Sequence, residues 1–280
     1  MRVGIGLPDT IANTSGETLM DWARRADAGP FTSLGVLDRI LYDSYEPMTT
    51  LAAAAGVTTK VQLVTSIVIA PLRNTALLAK AAKTIHTLSG GRFVLGLSIG
   101  ARQDDYQAAG VPFSGRGARF DRQLEDIRAA WEDETIGPRA APGSPPILIG
   151  GLSDAAFSRV ARYADGYIHG GGPPRAFARF ADKARAAWED AGRPGQPQLW
   201  GQGYFALGGE DLIEAGRDYL RDYYEFTGPF AERIAQGLLT TPQAIVSFLR
   251  GYADAGCDEM LLFPTTSDVE QLERLMEVVG

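Results

Sequence analysis

The chain has 280 residues, of which 45% are hydrophobic and 22% charged, and its formal net charge at pH 7 is −7. This composition is typical of a folded globular protein and excludes collagen-like repeats and long disorder. The acidic balance argues against nucleic acid or an anionic membrane as a partner, and the single cysteine, Cys257, excludes a disulfide framework and a thiolate zinc site.

Short apolar segments alternate with longer segments of helical periodicity along the whole chain. The first of them begins next to Met1 and lacks the charged head and long apolar run of a secretory signal. No apolar run approaches the roughly 20 residues of a membrane span, so we expect a cytoplasmic protein with no membrane partner. Strands are predicted at residues 3–7, 34–37, 61–69, 93–99, 146–149, 167–169, 198–206 and 260–263.

The segments between these strands carry apolar residues at helical spacing. The clearest stripe runs over residues 77–88 and is followed by Gly90 and Gly91, a common helix stop. Alternation of strand and helix predicts an all-parallel sheet, and this length suits a closed (β/α)8 barrel, or TIM barrel, better than an open sheet. We predict one barrel domain over residues 1–280, with its chemistry at the carboxyl ends of the strands.

Two glycine-rich motifs match those of α/β-hydrolases. Residues 96–100, centred on Ser98, read G-x-S-x-G, and residues 169–172 read H-G-G-G. Their order is reversed relative to hydrolases, and no histidine remains for a triad, since His86 precedes Ser98 and His169 belongs to the second motif. We therefore interpret the glycines around Ser98 as admitting a flat ligand, with ester hydrolysis as a minor alternative.

A glycine turn after the fifth predicted strand is the best candidate for an anion site. Gly150, Gly151, Leu152 and Ser153 join the end of that strand to the start of a helix. Free backbone N–H groups and the helix dipole favour a phosphate at such a position. A tight turn that merely needs glycine geometry accounts for the same residues equally well.

Two polar residues end predicted strands at the expected catalytic face. His169 is suited to transferring a proton or binding a ligand, although a lone histidine is more often structural. Asp38 follows the second strand, where an acid is suited to contacting a ligand, with a paired surface charge as the alternative. We take His169 and Asp38 as the candidate catalytic residues, and we predict no metal site because the chain has no cluster of cysteine and histidine.

Several segments together resemble the luciferase-like monooxygenase family. The densest similarity lies in T-S-I-V-I-A-P-L-R-N at 65–74, L-S-G-G-R-F at 88–93 and L-G-L-S-I-G at 95–100. A second block is P-P-I-L-I-G-G at 145–151, followed by A-D-G-Y at 164–167. The blocks occur in family order, and the similarity runs nearly from end to end.

This resemblance implies a (β/α)8 barrel that binds a flavin or deazaflavin across its C-terminal mouth. It also implies a non-prolyl cis peptide in the third strand, which we place between Ser66 and Ile67. The chain lacks the long insertions of larger members, which leaves an open mouth. The resemblance assigns two sets of cofactor residues, namely Ser66, Ile67 and Ser98 near the ring and Gly150, Gly151, Leu152 and Ser153 near the phosphate.

The resemblance also implies a flavin-dependent oxidoreductase, for which we consider three forms. The first, which we favour, is a monooxygenase that uses oxygen and reduced FMN, supplied by a separate reductase, on a small organic substrate. The second is a dehydrogenase or reductase that uses the deazaflavin coenzyme F-420, and the third is a non-catalytic flavin-binding protein. Residues 41–45 and the aromatic segment 219–229 are candidates to cover the substrate, although helix packing explains the aromatic segment equally well. By analogy with the family we expect a homodimer.

Overall fold

The strands form one parallel sheet that closes on itself. In the computed structural model, residues 1–140 and 143–280 are described. The strands in these ranges are β1 (Arg2–Gly6), β2 (Ser33–Val36), β3 (Gln62–Thr65), β4 (Val68–Ile69), β5 (Phe93–Ser98), β6 (Ile147–Gly150), β7 (Gly166–His169), β8 (Gln198–Phe205) and β9 (Glu259–Pro264). Each strand pairs with its neighbour in parallel, and β9 pairs with β1, which completes the ring. The predicted TIM barrel is confirmed.

Helices surround the barrel and connect successive strands. They are α1 (Gly16–Ala28), α2 (Pro47–Ala55), α3 (Thr75–Leu88), α4 (Gln103–Ala108), α5 (Arg116–Glu132), α6 (Asp154–Tyr163), α7 (Pro174–Asp190), α8 (Glu210–Tyr223), α9 (Phe230–Gln236), α10 (Pro242–Asp254) and α11 (Glu270–Val279). Two short 3-10 turns, Ala70–Leu72 and Glu225–Thr227, follow β4 and α8. Among the described residues, no helix is both long enough and apolar enough to cross a membrane.

Both faces of the sheet are buried, which explains why the strands are apolar at consecutive positions. One core lies inside the barrel and takes single residues from successive strands, among them Val64, Val94, Leu148, Ile168 and Trp200. The other core lies between the sheet and the helices. Helix α3 turns Leu78, Ala82 and Ile85 inward, while Leu77 at the start of the predicted stripe is 71% exposed.

The third barrel strand is divided into β3 and β4, and both parts pair with β5. Leu63 aligns with Phe93, an offset of 30 residues, whereas Val68 aligns with Leu97, an offset of 29. One extra residue is therefore accommodated between the two parts, as in a β-bulge. The peptide bond between Ser66 and Ile67 in this link is cis, which confirms the prediction.

The glycine that begins the G-x-S-x-G motif allows β5 to approach this bulge. The Thr65 hydroxyl accepts the Gly96 N–H and donates to the Gly96 carbonyl, each at 2.8 Å. A Cβ atom at Gly96 would lie 1.9 Å from the carbonyl oxygen of Thr65. The glycine of the motif is therefore required by strand packing, independently of any nucleophile.

We predict that Gly96→Ala lowers the free energy of unfolding by about 2 kcal/mol or more, because overpacking against backbone is poorly relieved. Gly16→Ala is the matched control, since a Cβ there meets no atom within 4 Å. Denaturant unfolding measures both variants. Equal stability of the two proteins would contradict the close approach at Gly96.

Candidate active site

A cavity of about 540 Å³ opens at the carboxyl ends of the barrel strands. Ser66, Ile67 and Ser98 form one part of its lining, and Gly150, Gly151 and Leu152 form another. His169 also lines it. The structure therefore brings together seven of the nine residues that the sequence assigned to the site. Ser153 and Asp38 are the two that do not line the cavity.

The polar floor of the cavity is held by a glutamine that sequence analysis did not identify. The Ser66 hydroxyl donates to Gln202 Oε1 at 2.7 Å, and Gln202 Nε2 donates to the Gly170 carbonyl at 3.3 Å. The Ser66 N–H donates to the carbonyl of Val36 at 2.8 Å. Gln202 thus ties the bulge to β8 and to the loop after β7. Its signal in the sequence was an amide inside β8, a strand whose one other amide is the exposed first residue, Gln198.

Asp38 does not face the cavity, and its assignment as a catalytic residue is corrected. Its carboxylate accepts two hydrogen bonds from the Arg73 guanidinium, at 2.6 and 2.9 Å. It also accepts the N–H of Ile69, in β4, at 2.8 Å. All of these contacts anchor the strand that follows the bulge, so Asp38 positions the floor of the site without touching a ligand there.

Ser98 lines the cavity but has no catalytic histidine, which removes the basis for the hydrolase alternative. His86 Nδ1 donates to the carbonyl of Phe93, at the opposite end of β5, roughly 16 Å away at the usual rise of a strand. His169 uses Nδ1 for Tyr167, and its Nε2 has no hydrogen-bond partner among the described residues. No Ser–His pair is therefore formed.

His169 lines the cavity and has one buried ring nitrogen without a hydrogen-bond partner among the described residues. The Tyr167 hydroxyl donates to the Gly151 carbonyl at 3.0 Å, so its oxygen accepts from the His169 Nδ1–H, also at 3.0 Å. In this tautomer Nε2 carries a lone pair. Burial lowers the pKa of His169 from the usual 6.5 to about 4, with a weaker opposing contribution from the backbone of Gly171. The ring is therefore a neutral hydrogen-bond acceptor near pH 7.

The glycine turn after β6 has the geometry of an anion site. Gly151 has a φ of 144°, which favours glycine, and Leu152 is 59% exposed at the edge of the cavity. Ser153 is the N-cap residue of α6, but its side chain makes no capping hydrogen bond. The first N–H groups of α6 therefore have no side-chain acceptor, and the positive end of the helix dipole adjoins the cavity.

A further part of the lining is an aromatic wall, defined here as Tyr224, Phe226, Thr227, Phe230 and Ile234. The predicted segment 219–229 thus contributes to the mouth. Residues 41–45 do not line the cavity. Tyr42 instead packs edge-on against Tyr223, with ring centroids 5.2 Å apart, and supports the wall from behind.

Arg102 holds the aromatic wall in place. It is 8% exposed, and no carboxylate of the described chain pairs with it. Its guanidinium donates to the Tyr223 carbonyl and lies 4.2 Å from the ring centroid of Phe226 and 4.5 Å from that of Tyr223. Cation–π contact and one hydrogen bond therefore replace the missing counter-ion.

The cavity as described fits a flavin-type cofactor. The bulge supplies a backbone floor, the uncapped helix adjoins the glycine turn at one edge, and the His169 Nε2 atom supplies a buried polar partner. Gly170 also lines the cavity, and a Cβ there would meet no atom within 4 Å, so a larger residue would extend into open space. In residues 1–140 and 143–280, no group of three or more His, Cys, Asp or Glu side chains is placed to hold a metal ion.

The sequence matches the family model described as luciferase-like monooxygenase over residues 1–273. An uncharacterised protein of Mycobacterium bovis is 34% identical over 206 residues, which cover 61% of this chain and 71% of the relative. The resemblance identified from the sequence motifs is therefore confirmed.

Two solved structures share the fold. An F420-dependent secondary alcohol dehydrogenase, in complex with an F420–acetone adduct, superposes with a TM-score of 0.84 at 16% identity and covers 100% of this chain and 99% of its own. The oxygenating constituent of 3,6-diketocamphane monooxygenase from Pseudomonas putida, in complex with FMN, superposes with a TM-score of 0.75 at 14% identity, covering 100% and 96%. Both are oxidoreductases, and their cofactors differ.

We predict that Arg102→Met loosens the aromatic wall while changing the free energy of unfolding by less than about 1 kcal/mol. Methionine retains most of the volume, and loss of the cation–π contacts is offset by removal of a buried cation. Hydrogen exchange should become faster in residues 223–227 and stay unchanged in the barrel strands. Arg102→Lys, which keeps the charge, should show a smaller increase. Unchanged exchange in Arg102→Met would contradict this role.

The low pKa of His169 predicts a pH-dependent stability. Between pH 4 and the usual 6.5, the unfolded chain binds a proton that the folded chain does not, so this contribution to stability is lost as the pH falls through that range. From about pH 7 to about pH 5, the loss amounts to about 2 kcal/mol for this one group. Denaturant unfolding of the wild type and of His169→Gln should show a smaller loss in the variant. Identical losses would show that His169 titrates normally.

Proposed function

This chain belongs to the luciferase-like monooxygenase family, and we propose that it transfers hydride between the deazaflavin coenzyme F-420 and a neutral, apolar alcohol or ketone. The observation that carries this proposal is the neutral His169 ring, which lines the cavity and whose buried Nε2 has no hydrogen-bond partner among the described residues. Alcohol oxidation requires a base for the hydroxyl proton, and ketone reduction requires the conjugate acid. A positioned histidine performs both.

In the proposed mechanism, the coenzyme, when bound, supplies a hydride acceptor that does not activate oxygen. Ser66 and Ile67 would support its ring, and Gly150, Gly151 and Leu152, with the adjoining start of α6, would hold its phosphate. His169 Nε2 accepts the hydroxyl proton of the alcohol. The resulting imidazolium keeps donating its Nδ1–H to the Tyr167 hydroxyl oxygen, and that hydroxyl keeps donating to the Gly151 carbonyl. This hydrogen-bond chain fixes the ring orientation during the transfer.

The aromatic wall supports an apolar substrate body. Tyr224, Phe226, Phe230 and Ile234 carry no charge, and the Thr227 hydroxyl is already donated to the Tyr224 carbonyl. A charged substrate would find no counter-ion on this side among the described lining residues. Phe226 and Phe230 are 47% and 54% exposed, so the wall also admits a substrate that extends beyond the cavity.

FMN-dependent monooxygenation is the second candidate. It was the first choice from the sequence, and the similarity to an FMN-containing monooxygenase supports it. Such chemistry requires the reacting centre to be shielded from water. The exposed Leu152, Phe226 and Phe230 leave the mouth open, which favours hydride transfer. A separate reductase and a homodimer remain predictions that belong to this candidate and to the family resemblance.

Binding and turnover test the proposal together. The protein should bind F-420, detected by deazaflavin fluorescence, and should reduce it with apolar secondary alcohols. His169→Gln should lower kcat by about 100-fold or more while leaving coenzyme affinity nearly unchanged, because the residue acts on the proton. In the wild type, kcat/KM should stay level down to about pH 5 and fall near the depressed pKa of about 4.

Three outcomes would decide against this function. Binding of FMN without F-420, together with oxygen consumption, would establish the second candidate. Binding without turnover on any alcohol or ketone would indicate the non-catalytic alternative. A full loss of coenzyme binding in His169→Gln would show that the ring serves binding and not proton transfer.

A further inference from the structure

We infer that Arg179 binds the anionic tail of the coenzyme beyond its phosphate, and thereby makes the site select coenzymes by tail charge. This inference rests on the proposed function, since it concerns the same bound coenzyme. It extends that function from the reacting ring to the far end of the ligand, which neither the family match nor the structural neighbours assign.

Arg179 is the one permanently charged side chain among the described residues that line the cavity. It is exposed, and its guanidinium carbon lies 4.5 Å from the ring centroid of Phe180, on which it stacks. No carboxylate of the described chain forms a salt bridge with it. In a protein of net charge −7, this cation at the rim of an apolar cavity therefore has no anionic partner among the described residues.

The packing of α7 places Arg179 near the phosphate end of the cavity. Phe180 stacks on Phe157 of α6, with ring centroids 6.1 Å apart and an interplanar angle of 17°. One turn after Arg179, Lys183 Nζ lies 2.7 Å from Asp154 Oδ1, in the first turn of α6. Arg179 shares this helix face, so its guanidinium is near the start of α6.

The neighbouring charges leave Arg179 available for a ligand. Lys183 and Asp154 neutralise each other, and Arg185 is paired with Asp182 at 3.0 Å. The uncapped start of α6 adds a partial positive charge on the same side. The buried, unpartnered Nε2 of His169 in the same cavity is an independent sign that a ligand completes this site.

The tails of FMN and F-420 differ in charge, so the positive charge of Arg179 can distinguish the two coenzymes. FMN ends in a phosphate monoester, which the glycine turn alone can bind. F-420 continues through a phosphodiester into lactyl and glutamyl units, whose carboxylates extend toward the rim. A guanidinium binds carboxylates through paired N–H donors, and the Phe180 ring holds it in place. The described residues of the aromatic wall include no cation that would compete with Arg179 for these carboxylates.

Fluorescence titration of three ligands tests the inference without any turnover. The ligands are F-420 with a long glutamate tail, F-420 lacking all glutamates, and FMN. Arg179→Gln should weaken binding of the long-tailed form by about 3- to 10-fold and of the tail-less form by less than about 2-fold. The preference of the wild type for the long tail should shrink as salt is raised.

Arg250→Gln is the matched control, because it removes the same charge from an exposed position in the C-terminal half of α10. Helices of this fold run antiparallel to the strands, so that half of the helix points away from the mouth of the barrel. The control should leave the affinities of all three ligands unchanged. If Arg250→Gln weakened binding of the long-tailed form as much as Arg179→Gln does, the effect would come from the net charge of the protein, and the inference would be overturned.

The remaining outcomes separate this inference from the proposed function. If both F-420 forms bind the wild type equally, or Arg179→Gln changes neither, the tail contact is refuted while the proposed function stands. If Arg179→Gln weakens FMN and tail-less F-420 as much as the long-tailed form, Arg179 binds the phosphate itself, which also refutes the tail contact. If no form of F-420 binds the wild type, the proposed function and this inference both fall.

Discussion

The structure of the site depends on the one-residue change of register between β3 and β4. A regular strand there would continue the wall of the barrel, whereas the bulge turns backbone toward the mouth. Several contacts from separate parts of the chain hold it. Asp38 and Arg73 anchor β4, Thr65 binds both backbone groups of Gly96, and Ser66 binds Gln202. Residues on β5, on β8 and just after β2 thus enforce one irregular segment.

The same arrangement explains which site residues the sequence revealed. Strands buried on both faces are continuous apolar runs, so their positions and the barrel followed directly from composition and alternation. Ser98, Gly150 and His169 were then found because they end strands, and the ends of parallel strands meet at one rim. Asp38 also ends a strand, but its partner Arg73 lies 35 residues further on, and nothing local distinguished an anchoring carboxylate from a catalytic one.

Residues that reach the cavity from helices gave a weaker signal. Arg179 is one of many arginines, and its value lies in having no acidic neighbour, which is a property of the packing of α7 on α6. Phe226 lies in the segment 219–229, for which the sequence left substrate cover and helix packing equally open, and the Arg102 contacts show how this segment is held at the mouth. Which helix residues reach the cavity is decided by packing between elements far apart in the sequence, and the periodicity of the sequence does not predict that packing.

One part of the cavity lining is positively charged and another part is uncharged, and this difference restricts how a ligand can lie in the cavity. One side combines the uncapped start of α6 with the free guanidinium of Arg179, and the other is an uncharged aromatic wall. His169 also lines the cavity, and burial keeps its ring neutral. A protonated ring in its place would draw anionic groups toward the reacting centre. In the proposed function, this neutrality leaves the positively charged part of the described lining to attract the coenzyme phosphate, and the coenzyme ring would then be directed toward the bulge and the aromatic wall.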